Sequence, residues 1–246
     1  MIHHAIDMHT HINHFSPWDS QEQQWYTAQL QRLIEMNKAA GIEKMFCSTF
    51  ASVLNAAAVE HENVYMHELA ESVDCLYQWV VIDPRNNATF EQAEKMLSHP
   101  KCVGIKLHPS NHKYELEVYA HKVFSFASVH RATVLIHPKA EADYILPMAS
   151  KYPEVNFIMA HMWGKPHVDA IEYAEYGNVY ADTSGSASQQ NLIIEYAVER
   201  VGSERILFGT DTYAPGAQKG RIEYALIDEK YKLNILRNNA IRLFGI

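Results

Sequence analysis

The 246-residue sequence has only three cysteines, Cys47, Cys75 and Cys102. None belongs to a Cys-x-x-Cys pair, and an odd number in a chain this long argues against a disulfide framework. Cys47 and Cys102 fall in strand-like runs, where a thiol reads as a small buried apolar side chain. A reducing, cytoplasmic setting follows as the expectation. No run of about 18 apolar residues occurs, which excludes a helical membrane span. The opening "MIHHAIDMHTHIN" lacks a basic segment followed by an apolar one, so it does not read as a secretory signal. Positive charge is scarce: 21 Lys plus Arg against 29 Asp plus Glu, a formal net charge of -8. That balance excludes the basic face that a nucleic-acid partner needs. There is no low-complexity segment and no linker, so one domain over residues 1–246 is expected. No glycine-rich phosphate turn follows the first apolar run, which counts against a dinucleotide site.

What the chain does have is alternation. Short apolar runs appear at His4–His9, Glu43–Phe50, Leu76–Asp83, Cys102–His108, Thr133–His137, Asn156–His161, Asn178–Asp182 and Ile206–Asp211. Between them lie amphipathic stretches such as "QEQQWYTAQLQRLIEMNKAAG", in which Leu30, Leu33, Ile34 and Met36 form a stripe and Gly41 supplies the stop. "TFEQAEKMLSHP", "YILPMASKYP", "HVDAIEYAEYG" and "NLIIEYAVERVG" read the same way. Repeated βαβ units permit an open doubly wound sheet or a closed barrel. Eight strands favour the (β/α)8 TIM barrel, an α/β fold that about 250 residues typically build.

Histidine is plentiful, at 15 residues. His3, His4, His61, His67, His99, His121 and His130 read as surface or helix histidines. His14 and His112 fall in strand-to-helix loops. The others sit where strands end, and in a barrel functional side chains come from those ends. Strand one ends in His9-Thr10-His11, strand three in Asp83, strand five in His137, strand six in His161, strand seven in Asp182-Thr183-Ser184 and strand eight in Asp211. Strand four carries Lys106 and His108. Side chains two apart share a strand face, so His9 and His11 point the same way and can grip one ion. With His137, His161 and Asp211 they make a set suited to Zn²⁺ with an open position for water. A lone strand-end histidine is more often a satisfied structural residue; four of them and a terminal carboxylate favour metal binding.

The segments "IDMHTHI", "VIDP", "GIKLHP", "VLIHP", "YPEVNFIMAHMWG", "NVYADTSGS", "RILFGTDTYAP" and "NILRNNAIRLFGI" resemble, in order and nearly end to end, the amidohydrolase superfamily. The match is nearest its amidohydrolase-2 branch, with the aminocarboxymuconate-semialdehyde and resorcylate decarboxylase-like proteins. The resemblance implies a distorted (β/α)8 barrel with a catalytic divalent metal, usually zinc. It makes His9, His11 and His137 ligands, His161 a ligand or the residue that orients water, and Asp211 both ligand and proton acceptor. Lys106 matches a lysine that two-metal relatives carbamylate to bridge their ions. Its other reading is a cation facing Asp211 or a substrate carboxylate, so one ion and two ions both stay open. Arg85, His108, Trp163 and Tyr213 are the candidates for substrate contact. The chain lacks the long insertions that roof the pocket in the decarboxylases. The expectation is therefore a hydrolase whose metal-activated water attacks a small-molecule amide, lactone or ester. A non-oxidative decarboxylase on the same site is the alternative, and an inactive metal-binding barrel the alternative of another class. No nucleic-acid or membrane partner is expected, and a homo-oligomer is compatible with the sequence.

Overall fold

A computed structural model describes residues 3–13, 30–137, 142 and 144–246. His14 and the start of the first amphipathic stretch lie outside the described residues. Eight parallel strands pair in sequence order. They are β1 (Ala5–Ile12), β2 (Ile42–Thr49), β3 (Leu76–Val81), β4 (Cys102–Leu107), β5 (Thr133–Ile136), β6 (Phe157–Met159), β7 (Val179–Asp182) and β8 (Ile206–Leu207). Each is followed by a helix: Leu30–Ala39, Val59–Ser72, Asn87–Met96, Leu116–Val129, Ile145–Lys151, Lys165–Tyr173, Ile193–Val201 and Pro215–Glu223. This is the (β/α)8 barrel, a single domain. β8 is short, and the chain beyond it completes the ring through Met8 N–H to Phe208 O (3.0 Å) and Thr210 N–H to His9 O (3.1 Å). Among the described residues no helix is long and apolar enough to cross a membrane.

Two apolar layers result. Ile105, Val134, Val80, Phe124 and Ile171 pack between strands and helices. Ile6, Met8, Phe46, Trp79, Leu135, Ile158 and Leu207 fill the barrel itself. Phe244 of the last helix (Asn239–Phe244) packs against this second layer, its ring 4.9 Å from that of Phe46 and 5.6 Å from that of Trp79. Trp79 satisfies its buried indole N–H on Met8 O at 2.8 Å, as a buried Trp must.

Two of the irregularities in the pairing fall on strands that carry site residues. In β1, Asp7 pairs with Met45 but Thr10 with Cys47. Met8 and His9 therefore share the space opposite Phe46, a β-bulge. In β4, Cys102 pairs with Gln78 but Gly104 with Trp79, so Val103 is the extra residue. A Cβ on Gly104 would lie 2.3 Å from Thr133 O and 2.6 Å from Trp79 Cζ3. Only glycine lets β4 approach β5 and the barrel-filling indole this closely.

Candidate functional site

The β1 bulge turns His9 to the side on which Met8 already lies, and His11 follows two residues later. His9, His11 and Lys106 are all buried. The strand-end residues of β6 and of the turn after β8, His161 and Asp211, have φ of 60° and 54°. Non-glycine residues held in the left-handed region cost free energy and gather at functional sites. Gly185 makes room for them: a Cβ there would lie 2.6 Å from His161 Nδ1 and 3.2 Å from Asp211 Oδ2.

Hydrogen bonds fix the ring of His9. Asp182 Oδ2 lies 2.8 Å from His9 Nδ1. Burial alone would raise the Asp182 carboxyl, but the fields of His9 and His161 and bonds from His9 and Ser184 outweigh it and hold the pKa below the usual range. An ionised carboxylate only accepts, so His9 Nδ1 carries the proton. Its Nε2 is left with a lone pair, and Lys106 Nζ donates to it at 2.8 Å. Asp182 Oδ1 meanwhile accepts from the backbone N–H of His161 (3.1 Å) and of Ser184 (2.8 Å). His161 Nδ1 donates to Ser184 O at 3.2 Å, and His11 Nδ1 meets Ser48 Oγ at 3.0 Å. One carboxylate thus orients the His9 imidazole, as in the outer shell of metal sites, and anchors the backbone from which the His161 ring projects.

The ring atoms left over converge. Ligand atoms of His9, His161 and Asp211 lie within 4.8 Å of one another. Asp211 Oδ1 is 3.4 Å from His11 Nε2 and 3.9 Å from His9 Nε2. The rings of His137 and His161 are 5.0 Å apart. Burial, together with the neighbouring Lys106 and His161, pushes the His9 imidazole down to about 3, and burial with His161, Lys106 and His9 does the same to His137. The imidazoles of His9 and His137 are therefore neutral near pH 7. Burial works against the charge on Asp211, but His11 hydrogen bonding and the fields of His9, His11 and His161 outweigh it and keep the carboxyl ionised. His137 Nδ1 is buried and has no hydrogen-bond partner. The His9 Nε2 lone pair 3.9 Å from the Asp211 carboxylate, and the orphaned ring nitrogen of His137 nearby, fit a divalent cation. Such an ion would compete with Lys106 for His9 Nε2.

The remaining candidates fall around this cluster. His108 stacks on His137 at 4.0 Å between ring centroids and caps the helix Pro109–His112. His112 Nε2 donates to Ser52 O. Arg85 is already engaged: its guanidinium spans both oxygens of Asp83, at 2.9 and 2.8 Å, so its fork is turned from the cluster onto its own loop. Tyr213 is 58% exposed and packs its ring 6.4 Å from Phe50, which lies 5.0 Å from the ring of His11. Trp163 is partly exposed, its backbone N–H bonded to His167 Nδ1. Sequence reasoning noted Asp182 and Ser184 as polar strand ends but gave them no task, and it missed Ser48 altogether. Their signal was present, since each is a buried polar group just after an apolar run. A cavity of about 220 Å³ opens beside His137, lined also by Pro109, Tyr114, Leu116 and Tyr144. A larger one, about 720 Å³, lies where β2 begins, beside Ile34, Ile42, Met45 and Cys75. That is the end of the barrel where active sites do not occur, and the cluster is not there.

Residues 6–246 match the family described as amidohydrolase. No curated protein matches the sequence. Among solved structures the chain is similar to 2,6-dihydroxybenzoate decarboxylase complexed with 2,6-dihydroxybenzoate, at 15% identity and a TM-score of 0.77 over 99% of each chain. It is similar to dihydroxybenzoic acid decarboxylase from Polaromonas sp. JS666, with bound manganese and the inhibitor 2-nitroresorcinol: 16% identity, 98% of this chain, 97% of that one, TM-score 0.75. A third is 5-carboxyvanillate decarboxylase from Sphingomonas paucimobilis, at 16% identity and 0.74 over 99% of each chain. These comparisons overturn the expectation of a hydrolase. That expectation leaned on missing insertions, yet the match runs over the full length of the decarboxylases. The physical reason is that ligands at strand ends fix the metal site, while reaction class is set by loops and pocket shape. The cluster supports a divalent metal, and the Polaromonas protein holds manganese. With a family match that leaves out only the first five residues, and with its strand-end residues gathered at one mouth of the barrel, the chain belongs to the amidohydrolase family.

Proposed function

We propose that the protein is a metal-dependent, non-oxidative decarboxylase of a small hydroxyaromatic carboxylate. The observation that carries this reading is the buried His9–His161–Asp211 cluster with the Lys106 ammonium beside it. The decarboxylases to which the fold is similar support the reaction class. His9, His11, His137 and Asp211 would hold one ion, with His161 against it; the nitrogen-rich set suits zinc or manganese. When bound, the ion supplies positive charge to substrate oxygens and orients them. Lys106, displaced from His9 Nε2, pairs with the substrate carboxylate and is not carbamylated. The ring enters the cavity beside His137, whose volume of about 220 Å³ is below the ~300–1,000 Å³ of pockets for larger ligands and limits the occupant to about one ring. Tyr114 Oη, buried there with no hydrogen-bond partner, is available to a ring substituent.

Asp211 carries the proton. It takes the substrate hydroxyl proton and delivers it to the ring carbon bearing the carboxylate. The carbon–carboxylate bond then breaks, its electron pair restores the aromatic ring, CO₂ leaves, and the product phenolate is reprotonated from water. No water is consumed by bond cleavage.

A panel of hydroxybenzoates and methoxy-hydroxybenzoates, assayed for CO₂ with zinc- and manganese-loaded protein, tests the reading. Metal-dependent CO₂ release from at least one is expected; none from any, with an ion held at the barrel mouth and lost in His9→Ala/His11→Ala, would leave a binding barrel. Asp211→Asn should keep an oxygen for the metal and lose the proton carrier, lowering kcat by at least ~10²-fold. Turnover at the parental rate by the metal-loaded Asp211→Asn variant would move the proton to His161.

A further inference from the structure

Outside the barrel mouth, one more group of histidines and a carboxylate converges. His67 and Glu71 lie one turn apart on the helix Val59–Ser72, and His99 lies in the turn before β4. As single residues, His67 and His99 read as ordinary surface histidines. Folding brings their rings to 5.1 Å between centroids, at 75°. Glu71 Oε1 sits 3.4 Å from His99 Nε2 and 3.9 Å from His67 Nε2. The three ligand atoms all lie within 4.8 Å of one another.

His67 is held in the state a metal ligand needs. Gln78 is buried in β3, and its amide N–H₂ donates to Asn63 O at 2.9 Å and towards Met96 Sδ at 3.5 Å. That leaves Gln78 Oε1 as the acceptor, 2.8 Å from His67 Nδ1. His67 Nδ1 therefore carries the proton, and the Nε2 lone pair is aimed outward at another acceptor, the Glu71 carboxylate. Two acceptors facing each other lack the donor or cation that would make the contact favourable. An amide that orients a histidine from behind is the partner pattern of metal-binding imidazoles. His99 is less prepared: its Nδ1 accepts from Lys101 N–H at 3.2 Å, so coordination through Nε2 gives up that local bond.

We infer that His67, Glu71 and His99 form a second transition-metal site on the outer wall of the barrel, with two imidazoles, one carboxylate and an open position for water. The chemistry suits Zn²⁺ or a neighbouring late first-row ion. The three side chains are 22%, 50% and 31% exposed, so an ion reaches them from solvent without passing the barrel mouth. Bound there, it ties the helix after β2 to the turn that feeds β4.

The test is zinc content after equilibration of the full chain with micromolar ZnCl₂. The parent should hold one equivalent more than His67→Ala or His99→Ala. Glu71→Gln should bind that equivalent at least tenfold more weakly. The extra equivalent should persist in His9→Ala/His11→Ala and in Lys106→Met, which separates it from a second ion at the barrel mouth. Zinc should also raise the thermal midpoint of the parent further than that of His67→Ala, while decarboxylation by the variant is unchanged. Equal zinc content in the parent and in folded His67→Ala, or loss of the extra equivalent only in the His9 and His11 variants, would overturn the site.

Discussion

At the residue scale the decisive contact is between Asp182 and His9. The carboxylate fixes which nitrogen of His9 carries the proton, and through its other oxygen it holds the backbone of His161 and Ser184. It touches two ligand candidates and faces neither substrate nor solvent, being fully buried. Asp182→Asn keeps the size but can present an N–H₂ to His9 Nδ1, which then no longer donates. Metal affinity should fall about 10–100-fold, the usual cost of losing such an orienting partner, with little change in KM per metal-loaded site. Titration with zinc or manganese against a chelator measures it; an unaltered dissociation constant would mean that Asp182 only braces the loop. Lys106 differs in kind. Burial lowers its ammonium to about 8 against the pull of Asp182 and Asp211, so it stays charged near neutrality and gives the site a movable cation.

At the element scale two bulges do the positioning. Without the one in β1, His9 would face away from the barrel-filling Met8. Without the one in β4, even alternation from Cys102 would turn Lys106 outward against the helices and Ile105 inward. Gly104 is the tight point of the second. Gly104→Ala forces the new methyl against Thr133 O, a backbone atom that cannot step aside, and against the Trp79 ring. Overpacking of this sort costs about 1–3 kcal/mol. Gly216, around which a Cβ meets nothing within 4 Å, is the control, and Gly216→Ala should be neutral or slightly stabilising. Urea midpoints of the two variants compare them directly; equal midpoints would show that β4 does not need its glycine.

At the scale of the whole molecule, the cluster ties stability to pH. Unfolded imidazoles titrate near 6.5. In the fold, burial and neighbouring charge hold His9 and His137 at about 3, and burial also lowers His11 and His108. Between about pH 6.5 and 3 the unfolded chain binds protons that the folded chain refuses, so stability rises with pH through that window. Above pH 7 the contribution is complete; it is lost as pH falls below about 6.5, before ordinary carboxylates titrate. The metal-free protein should show a steady fall in thermal midpoint from pH 6.5 to 4.5. A midpoint that holds level to pH 4.5 would mean that these histidines take up protons in the folded state.

Much of this was readable from residues alone. Short continuous apolar runs separated by helical stripes determined eight strands and the barrel, because burying a parallel sheet on both faces leaves few other patterns. Strand-end chemistry marked His9, His11, Lys106, His137, His161 and Asp211, and the i, i+2 spacing put His9 and His11 on one face. The tertiary structure decided which face. Even alternation from Ile6 and Met8 would have sent both histidines away from the barrel interior. A bulge opposite Phe46 corrects the phase, and a bulge is a property of two paired strands that neither states by itself. The tertiary structure also decided the fate of Arg85, drawn onto Asp83 two residues away, and the tasks of Asp182 and Ser48, whose partners lie 173 and 37 residues distant. Reaction class followed the same division: ligand types are written locally in the chain, whereas the cavity beside His137 exists only once Tyr114 and Leu116, after β4, meet His137 and Tyr144, after β5.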